Sequence, residues 1–325
     1  MRRAIAILSL FGCMPIAVLA QSARQEKAIN LPAGVSVEVS SVSPAGNLIA
    51  GICSDDAVRV WSAQSGELLQ SLKENGGLQG GVQFSHDGRL LAVSYETVKY
   101  EKGTIKVFDV DSWKVQDDFA SDCMFCVLRF SPDGRRLASV GNSNAYVWDV
   151  ATQKKLATIS PSFGGSTALS FSSDSKSIAT ASGDGFVRVY NANTGTPRGT
   201  PTEFSLEPFA VAFSPDGKSV IAGGMDKTIS VIDPETGKVL RMLPKQPGLI
   251  ISLDVSADGK QLAVLYGSAE HFFEVNHIAL WDLDKGAMSA DFQKPGLNIT
   301  GGAFVGDHYR FAAGSGNQLT LWSIP

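Results

Sequence analysis

The feature that most constrains this 325-residue chain is a short apolar run that recurs along most of its length. Each copy alternates apolar with polar residues and ends on a large side chain, often followed by Asp. Successive copies lie 47, 40, 42, 42, 49 and 41 residues apart, a period near 43. A repeat of this length indicates structural units that bury their apolar faces against one another. The seven copies end at Trp61, Phe108, Trp148, Tyr190, Ile232, Trp281 and Trp322.

A turn motif recurs in step with these runs, as Ser-Pro-Asp-Gly at 131–134 and 214–217. Pro suits the first corner of a type I turn, and Gly takes the positive φ that would crowd a Cβ. Each unit is therefore predicted to contain four short strands joined by tight turns. In the fifth unit these strands are expected at 209–213, 219–223, 228–232 and 238–243. Related turns begin at Ser43, Ser85, Ser172, Ser256 and, in degenerate form, Val305.

The pairs Trp148-Asp149 and Trp281-Asp282, the turns and the period make residues from about 25 to 325 resemble the WD40-repeat β-propeller family. The resemblance is to a divergent, exported, bacterial member. It implies an all-β fold, a seven-bladed β-propeller of four-stranded antiparallel blades. The family's opening Gly-His pair is absent, so its buried Asp-His-Ser/Thr-Trp network cannot form in full. The blades are expected at about 35–73, 80–120, 125–160, 166–204, 208–244, 249–293 and 298–325.

The last repeat ends soon after its third strand, at Trp322, and its fourth strand is missing. A short apolar segment at about 26–31 precedes the first full repeat. In the propeller interpretation this N-terminal strand completes the last blade, so the ring closes without exposed edges. The aspartates that precede the third strands are interpreted as structural turn residues; they are Asp55, Asp184 and Asp226.

Residues 1–20 differ from the remainder and are predicted to be a secretory signal peptide. Arg2 and Arg3 precede an apolar run at 4–19, and small residues precede a cleavage site after Ala20. The alternatives are a membrane anchor, for which the run is short, and a lipoprotein signal at Cys13. We expect an exported protein, periplasmic or secreted and not membrane-spanning, with a single domain at 21–325.

The net charge of the chain is −4, and removal of the two signal arginines would make it about −6. Nucleic-acid binding proteins need a basic surface that displaces counterions. The charge therefore argues against a nucleic-acid partner.

Aromatic side chains are predicted to line the face that carries the longer loops. Loops on a rigid scaffold often carry function, and aromatic residues often anchor partners. The alternative is that several of them pack as core at the ends of the blades. The candidates for partner binding are Tyr95, Tyr100, Phe163, Phe204, Phe272 and Phe273.

Two groups of residues suggest other chemistry. If the segment 271–277 is extended, His271 and His277 share a face and, together with the carboxylate of Glu274, could bind zinc. Their spacing matches no standard zinc signature, and a solvated loop is the alternative. Cys123 and Cys126 form a C-x-x-C that a local turn could close into a disulfide, with free thiols as the alternative.

The sequence contains no Walker A motif, no complete nucleophile-elbow motif and no dinucleotide fingerprint, so no catalytic residue and no cofactor are assigned. We therefore expect an interaction scaffold more than an enzyme, binding a protein partner in the cell envelope or the extracellular space through its loop-rich face. The alternative is a propeller with a small-molecule or metal site at the mouth of its central channel, and an enzyme is one form of this alternative.

Overall fold

A computed structural model describes residues 23–73, 77–97, 103–121, 127–141, 144–160, 165–267 and 275–325. The predicted signal peptide at 1–20 lies outside these residues. The described chain contains 28 β-strands in seven sheets and no helix. Each sheet has four antiparallel strands, so the predicted seven-bladed all-β propeller is confirmed.

The strands follow the chain from blade to blade. Blade 1 contains β2 (Val37–Val42), β3 (Leu48–Cys53), β4 (Ala57–Ser62) and β5 (Leu68–Lys73). Blade 2 contains β6 (Gly77–Phe84), β7 (Leu90–Thr97), β8 (Gly103–Asp109) and β9 (Val115–Ser121). Blade 3 contains β10 (Val127–Phe130), β11 (Arg136–Gly141), β12 (Asn144–Asp149) and β13 (Lys155–Ile159). Blade 4 contains β14 (Ser166–Phe171), β15 (Ser177–Ser182), β16 (Phe186–Asn191) and β17 (Pro197–Glu203).

The remaining three blades repeat this order. Blade 5 contains β18 (Pro208–Phe213), β19 (Val220–Gly224), β20 (Ile229–Ile232) and β21 (Val239–Leu243). Blade 6 contains β22 (Leu249–Val255), β23 (Gln261–Gly267), β24 (Val275–Asp282) and β25 (Ala287–Gln293). Blade 7 contains β26 (Asn298–Val305), β27 (His308–Ser315), β28 (Gln318–Ile324) and, as its outer strand, β1 (Arg24–Asn30).

The predicted closure of the ring by the N-terminal strand is confirmed. β1 pairs antiparallel with β28, and Ile29 lies opposite Leu319. The amide of Leu31 extends the pairing by donating to the carbonyl of Asn317 at 2.8 Å. Because β1 pairs with the edge of β28, the third strand of blade 7 is not left as an exposed edge. The first and last described strands therefore lie in one sheet.

The recurring turn is held together by its own side chains. In blade 3, Ser131 Oγ donates to Asp133 Oδ1 at 2.6 Å and accepts from the amide of Arg136 at 2.9 Å. Gly134 has φ 69°, the conformation that disfavours a Cβ. Each such turn satisfies its polar groups locally, which explains why the same residue types recur at most of the first hairpins.

The hydrophobic core is divided among the interfaces between neighbouring blades. For example, Val147 of blade 3 packs in one cluster with Leu169 and Tyr190 of blade 4. The closing interface joins Leu321 of blade 7 to Val37 and Trp61 of blade 1. No sheet could bury its two faces alone, so the blades stabilise one another around the ring.

The first strand of each blade lies at the inner edge of the ring, against the first strands of its neighbours. Polar side chains connect these strands at equivalent positions. Ser41 Oγ accepts from the amide of Phe84 at 3.3 Å, and Ser170 Oγ accepts from the amide of Phe213 at 3.0 Å. These contacts fix the innermost strands relative to one another. Within the described chain no helix is long and apolar enough to cross a membrane.

Candidate interaction surfaces

The loops of the two faces differ in regularity. The first and second strands of a blade are joined by five residues in five blades, as at 131–135 and 256–260. The second and third strands are joined at the opposite face by connections that range from two residues, at 142–143, to seven, at 268–274. The blade-to-blade connections also lie on this variable face. We call it the loop-rich face.

The three aspartates interpreted as turn residues contact their own turns and neighbouring strands. Both carboxylate oxygens of Asp55 accept from Arg59, at 2.7 and 2.6 Å, and this hydrogen bonding holds the pKa of Asp55 below its usual value. Asp184 pairs with Arg188 at 2.8 Å in the same arrangement. Asp226 accepts from the amide of Thr228 at 3.0 Å. Each carboxylate holds the turn that leads into a third strand.

Two of the aromatic candidates lie in the core. The Tyr95 side chain is 4% exposed and packs between blades 1 and 2, and Phe204 is 8% exposed and packs between blades 4 and 5. Their burial leaves little surface for a partner, so both contribute mainly to packing between blades. Tyr100, Phe163, Phe272 and Phe273 lie outside the described residues.

Of the metal candidates, the structure describes only His277. Its Nε2 is hydrogen-bonded to Asp291 on the neighbouring strand, and its ring packs 4.7 Å from that of Tyr266. One ring nitrogen is therefore already engaged. Among the described residues no group of three or more His, Cys, Asp or Glu side chains is placed to hold a metal ion. His271, Glu274, Cys123 and Cys126 fall in the parts of the chain that are not described.

Two buried tryptophans, Trp281 and Trp322, form hydrogen bonds that differ from the Asp-His-Ser/Thr-Trp network of the WD40 family. Trp322 Nε1 donates to Thr320 Oγ1 at 2.8 Å. In blade 6, Trp281 Nε1 donates to the hydroxyl of Tyr266 at 3.3 Å, and that hydroxyl contacts Gln246. Burial raises the pKa of Tyr266 to about 12, so this hydroxyl stays protonated and can donate. Each of these two indole N–H groups therefore has a hydrogen-bond acceptor that is not a histidine.

The inner edge of the ring carries two charged side chains that the sequence did not single out. Arg129 Nη1 donates to Gln83 Oε1 at 3.2 Å, and Asp254 Oδ2 accepts from the amide of Phe304 at 3.3 Å. Burial raises the pKa of Asp254 to about 6, although the charge of Arg129 and the amide of Phe304 oppose the shift. The equivalent positions of the other five blades carry Ser41, Gln83, Ser170, Ala212 and Ala303, so only blades 3 and 6 place a charged side chain here.

Among the described residues, the outer strands carry all of the exposed large apolar side chains except Leu206, which lies between β17 and β18. β21 of blade 5 contributes three of them, Val239, Leu240 and Met242, which we call the blade-5 strip. The strip was missed because Lys238–Leu243 was interpreted only as a fourth strand. The signal was present, since the segment 238–243 has three large apolar residues at positions that an outer strand leaves open. The other exposed large apolar residues are Leu68, Leu69, Val115, Leu206 and Met288.

A family model of a known repeat matches three stretches of this chain, in agreement with the repeat found in the sequence. The family model "WD domain, G-beta repeat" matches residues 120–149, 153–191 and 205–233. The middle match runs from the outer strand of blade 3 through the third strand of blade 4. The sequence repeat therefore spans two blades, the same offset that leaves β1 to complete blade 7.

Among curated relatives, the chain is 26% identical over 241 residues to Periodic tryptophan protein 2 homolog of Dictyostelium discoideum, covering 70% of this chain and 25% of that protein. It is 26% identical to Protein HIR1 of Phaeosphaeria nodorum, covering 60% of this chain and 22% of that protein. It is 23% identical to Eukaryotic translation initiation factor 3 subunit I of Scheffersomyces stipitis, covering 61% and 62%. The chain spans about a quarter of the length of the first two.

Proposed function

We propose that this chain, a seven-bladed propeller that contains WD40 repeats, is an exported scaffold that binds a protein partner in the cell envelope or outside the cell. Related WD40 propellers are typically interaction scaffolds. The observation that supports the proposal is the contrast between the two faces. The turns between first and second strands have five residues in five of the seven blades, whereas the connections on the opposite face vary from two to seven residues. Variation on a rigid frame is where binding specificity commonly resides.

The binding surface is proposed to be the loop-rich face, on which 268–274 is the connection between second and third strands with the most residues. Tyr95 and Phe204 are buried and are not counted in this surface. The remaining aromatic candidates, which include Phe272 and Phe273, would supply the anchors. Asp55, Asp184 and Asp226 would hold the bases of the loops and not contact the partner.

The experiment is affinity capture from envelope extract with three purified proteins. These are the wild type, a variant with 268–274 replaced by two glycines, and a control in which Lys218→Ala and Lys260→Ala alter exposed residues of the opposite face. We expect a partner that is retained by the wild type and the control and is lost from the loop variant. Identical partners for all three proteins would contradict the proposal.

Export rests on the pattern of residues 1–20. Cleavage after Ala20 would leave β1, which begins at Arg24, intact for closure of the ring. Intact-mass measurement of protein recovered from a bacterial periplasm should show a chain that begins at Gln21. Recovery of a cytoplasmic chain that retains Met1 would contradict export without affecting the interaction surface.

A further inference from the structure

The blade-5 strip combines exposure with position at a sheet edge. Val239, Leu240 and Met242 are 46%, 57% and 56% exposed, and β21 pairs with β20 on one side only. Its other edge is the outermost in the blade and has no paired strand in the described structure. An edge strand with exposed apolar side chains is a ready site for another extended chain.

The register of β21 explains the exposure of its side chains. Val239 lies opposite Ile232 and Arg241 opposite Val231, so Leu240 is the extra residue of a bulge. Met242 lies opposite Ser230, which shares a face of β20 with Ile232. Val239 and Met242 therefore share one face of the strand, with Leu240 projecting from the bulge between them.

The outer strands of three other blades carry features that protect sheet edges. β17 contains Pro197 and Pro201, which cannot donate a backbone hydrogen bond. β9 contains the exposed Asp118, and β13 begins with Lys155. Charges and prolines on an edge discourage unwanted pairing. By contrast, β21 contains no proline, and its only charged residue is Arg241.

The strand β21 and its immediate flanks carry only positive charge, whereas Asp233 and Glu235 lie in the turn that precedes Lys238. Residues 237–246 include Lys238, Arg241 and Lys245 and no acidic residue, in a chain whose net charge is −4. A partner segment with carboxylates between apolar side chains would complement both features. Its carboxylates would lie near Arg241 and the two lysines, and its apolar side chains would cover Leu240 and Met242.

A second copy of the chain fits the strip less well. Antiparallel pairing of β21 with its own copy around a twofold axis would be centred on Arg241, the middle residue of the strand. Each guanidinium would then lie opposite its own copy, and like charges in directly opposed positions destabilise a strand pair. The charge therefore favours an acidic partner over self-association.

We propose that the outer edge of blade 5 docks an extended segment of a partner protein in which apolar and acidic residues alternate. This surface is separate from the loop-rich face and does not depend on it. The contact lies at the rim of the propeller, so a partner could engage both surfaces at once and gain from their linkage.

The test uses two fluorescein-labelled ten-residue peptides, one alternating Leu with Glu and the other alternating Leu with Lys, titrated with the purified chain and followed by anisotropy. We expect saturable binding of the Glu peptide, at least tenfold tighter than the Lys peptide, and weakening as salt increases. The double variant Leu240→Ser/Met242→Ser should lower affinity at least tenfold, and Arg241→Glu should reverse the preference between the peptides.

Two controls keep the result specific. The variant Leu68→Ser/Leu69→Ser removes the other exposed apolar pair, on β5, and should bind within twofold of the wild type. The chain shortened at 268–274 should also bind the Glu peptide normally, which separates this surface from the loop-rich face.

Absence of saturable binding, equal loss in the β5 variant, or an unchanged peptide preference in Arg241→Glu would overturn the proposal. A wild-type dimer in sedimentation that Leu240→Ser/Met242→Ser converts to monomer would also overturn it, because a second copy would then be the occupant. Circular dichroism melts of each variant show that it is folded during the titration.

Discussion

The innermost and outermost strands of blade 5 belong to the same sheet but differ in how far their side chains are exposed to solvent. In β18, Ala210, Val211 and Ala212 are 2–7% exposed, whereas in β21 three of five residues are about half exposed. The inner strand is packed against both neighbouring blades, and the outer strand contacts them less because the blades splay apart from the axis. Stability is therefore concentrated near the axis, and the periphery can vary in composition at little cost to the fold.

The closing strand β1 is an exception to this pattern, because it is an outer strand and closure of the ring depends on it. Ile29→Asp would bury a carboxylate without a cation, at a cost of about 4 kcal/mol or more in the free energy of unfolding. Ile29 is 4% exposed and packs with Leu319 and Trp61.

The matched control is Asn30→Asp, one residue further along β1 at an exposed position, whose side-chain oxygen accepts from Gln318 at 3.2 Å. It should change stability by less than about 0.5 kcal/mol. Urea unfolding of the two variants makes the measurement. Similar stability of both would mean that β1 does not hold the ring closed.

The comparison between inner and outer strands can be tested with one type of substitution. Leu128→Ala on β10 removes a side chain that is 2% exposed and should cost about 3 kcal/mol, since the neighbouring blades cannot collapse onto the cavity. Leu240→Ala on β21 should cost less than about 0.5 kcal/mol. Equal losses of stability in denaturant unfolding would break the comparison.

Asp254 gives the inner edge a distinct dependence on pH. Its pKa is raised to about 6 in the folded chain, so folding favours the protonated form, and this contribution is lost as pH rises from about 4 through 6. The wild type should lose up to about 2 kcal/mol over that window. Asp254→Asn, which retains an oxygen to accept from Phe304, should lack this slope.

The measurement is urea unfolding at half-unit steps from pH 4 to 7. The turn carboxylates, such as Asp216 bonded by Ser214, have lowered pKa values and give the opposite sign at lower pH, where stability falls as the carboxylates are protonated. A wild-type profile that matches that of Asp254→Asn across the whole window would show that Asp254 does not titrate there.

The hairpin turns should show smaller effects than the core. Ser131→Ala removes a donor to Asp133 and an acceptor for the amide of Arg136, for a loss of about 1 kcal/mol. Ser173→Ala alters an exposed residue of the equivalent turn in blade 4 and should be near neutral. Thermal unfolding of both compares them, and an equal decrease in Tm would mean that the side-chain contacts of the turn are unimportant.

The sequence was sufficient for the fold because its signals are local and periodic. The Ser-x-Asp-Gly turns and the alternating third strands mark each hairpin, and the offset at Trp322 revealed the need for β1. The bonding within each turn, as at Ser131 and Asp133, explains why so short a motif is informative.

The surfaces were harder to predict because they depend on contacts between distant residues. Nothing local to Tyr95 or Phe204 shows that each ring turns into an interface between blades. His277 is adjacent to Asp291 only through the pairing of β24 with β25. The charge of Arg129 on blade 3 opposes the rise in the pKa of Asp254 on blade 6, and sequence spacing gives no indication of this effect.

The most direct test of the division between a stabilising centre and a binding periphery measures stability and binding in the same two proteins. Leu128→Ala should lower the free energy of unfolding by about 3 kcal/mol and, at temperatures where it is folded, bind the Leu-Glu peptide as the wild type does. Leu240→Ser/Met242→Ser should unfold like the wild type and bind at least tenfold more weakly. If the peripheral variant loses as much stability as Leu128→Ala, or if the folded central variant loses binding, the division is wrong.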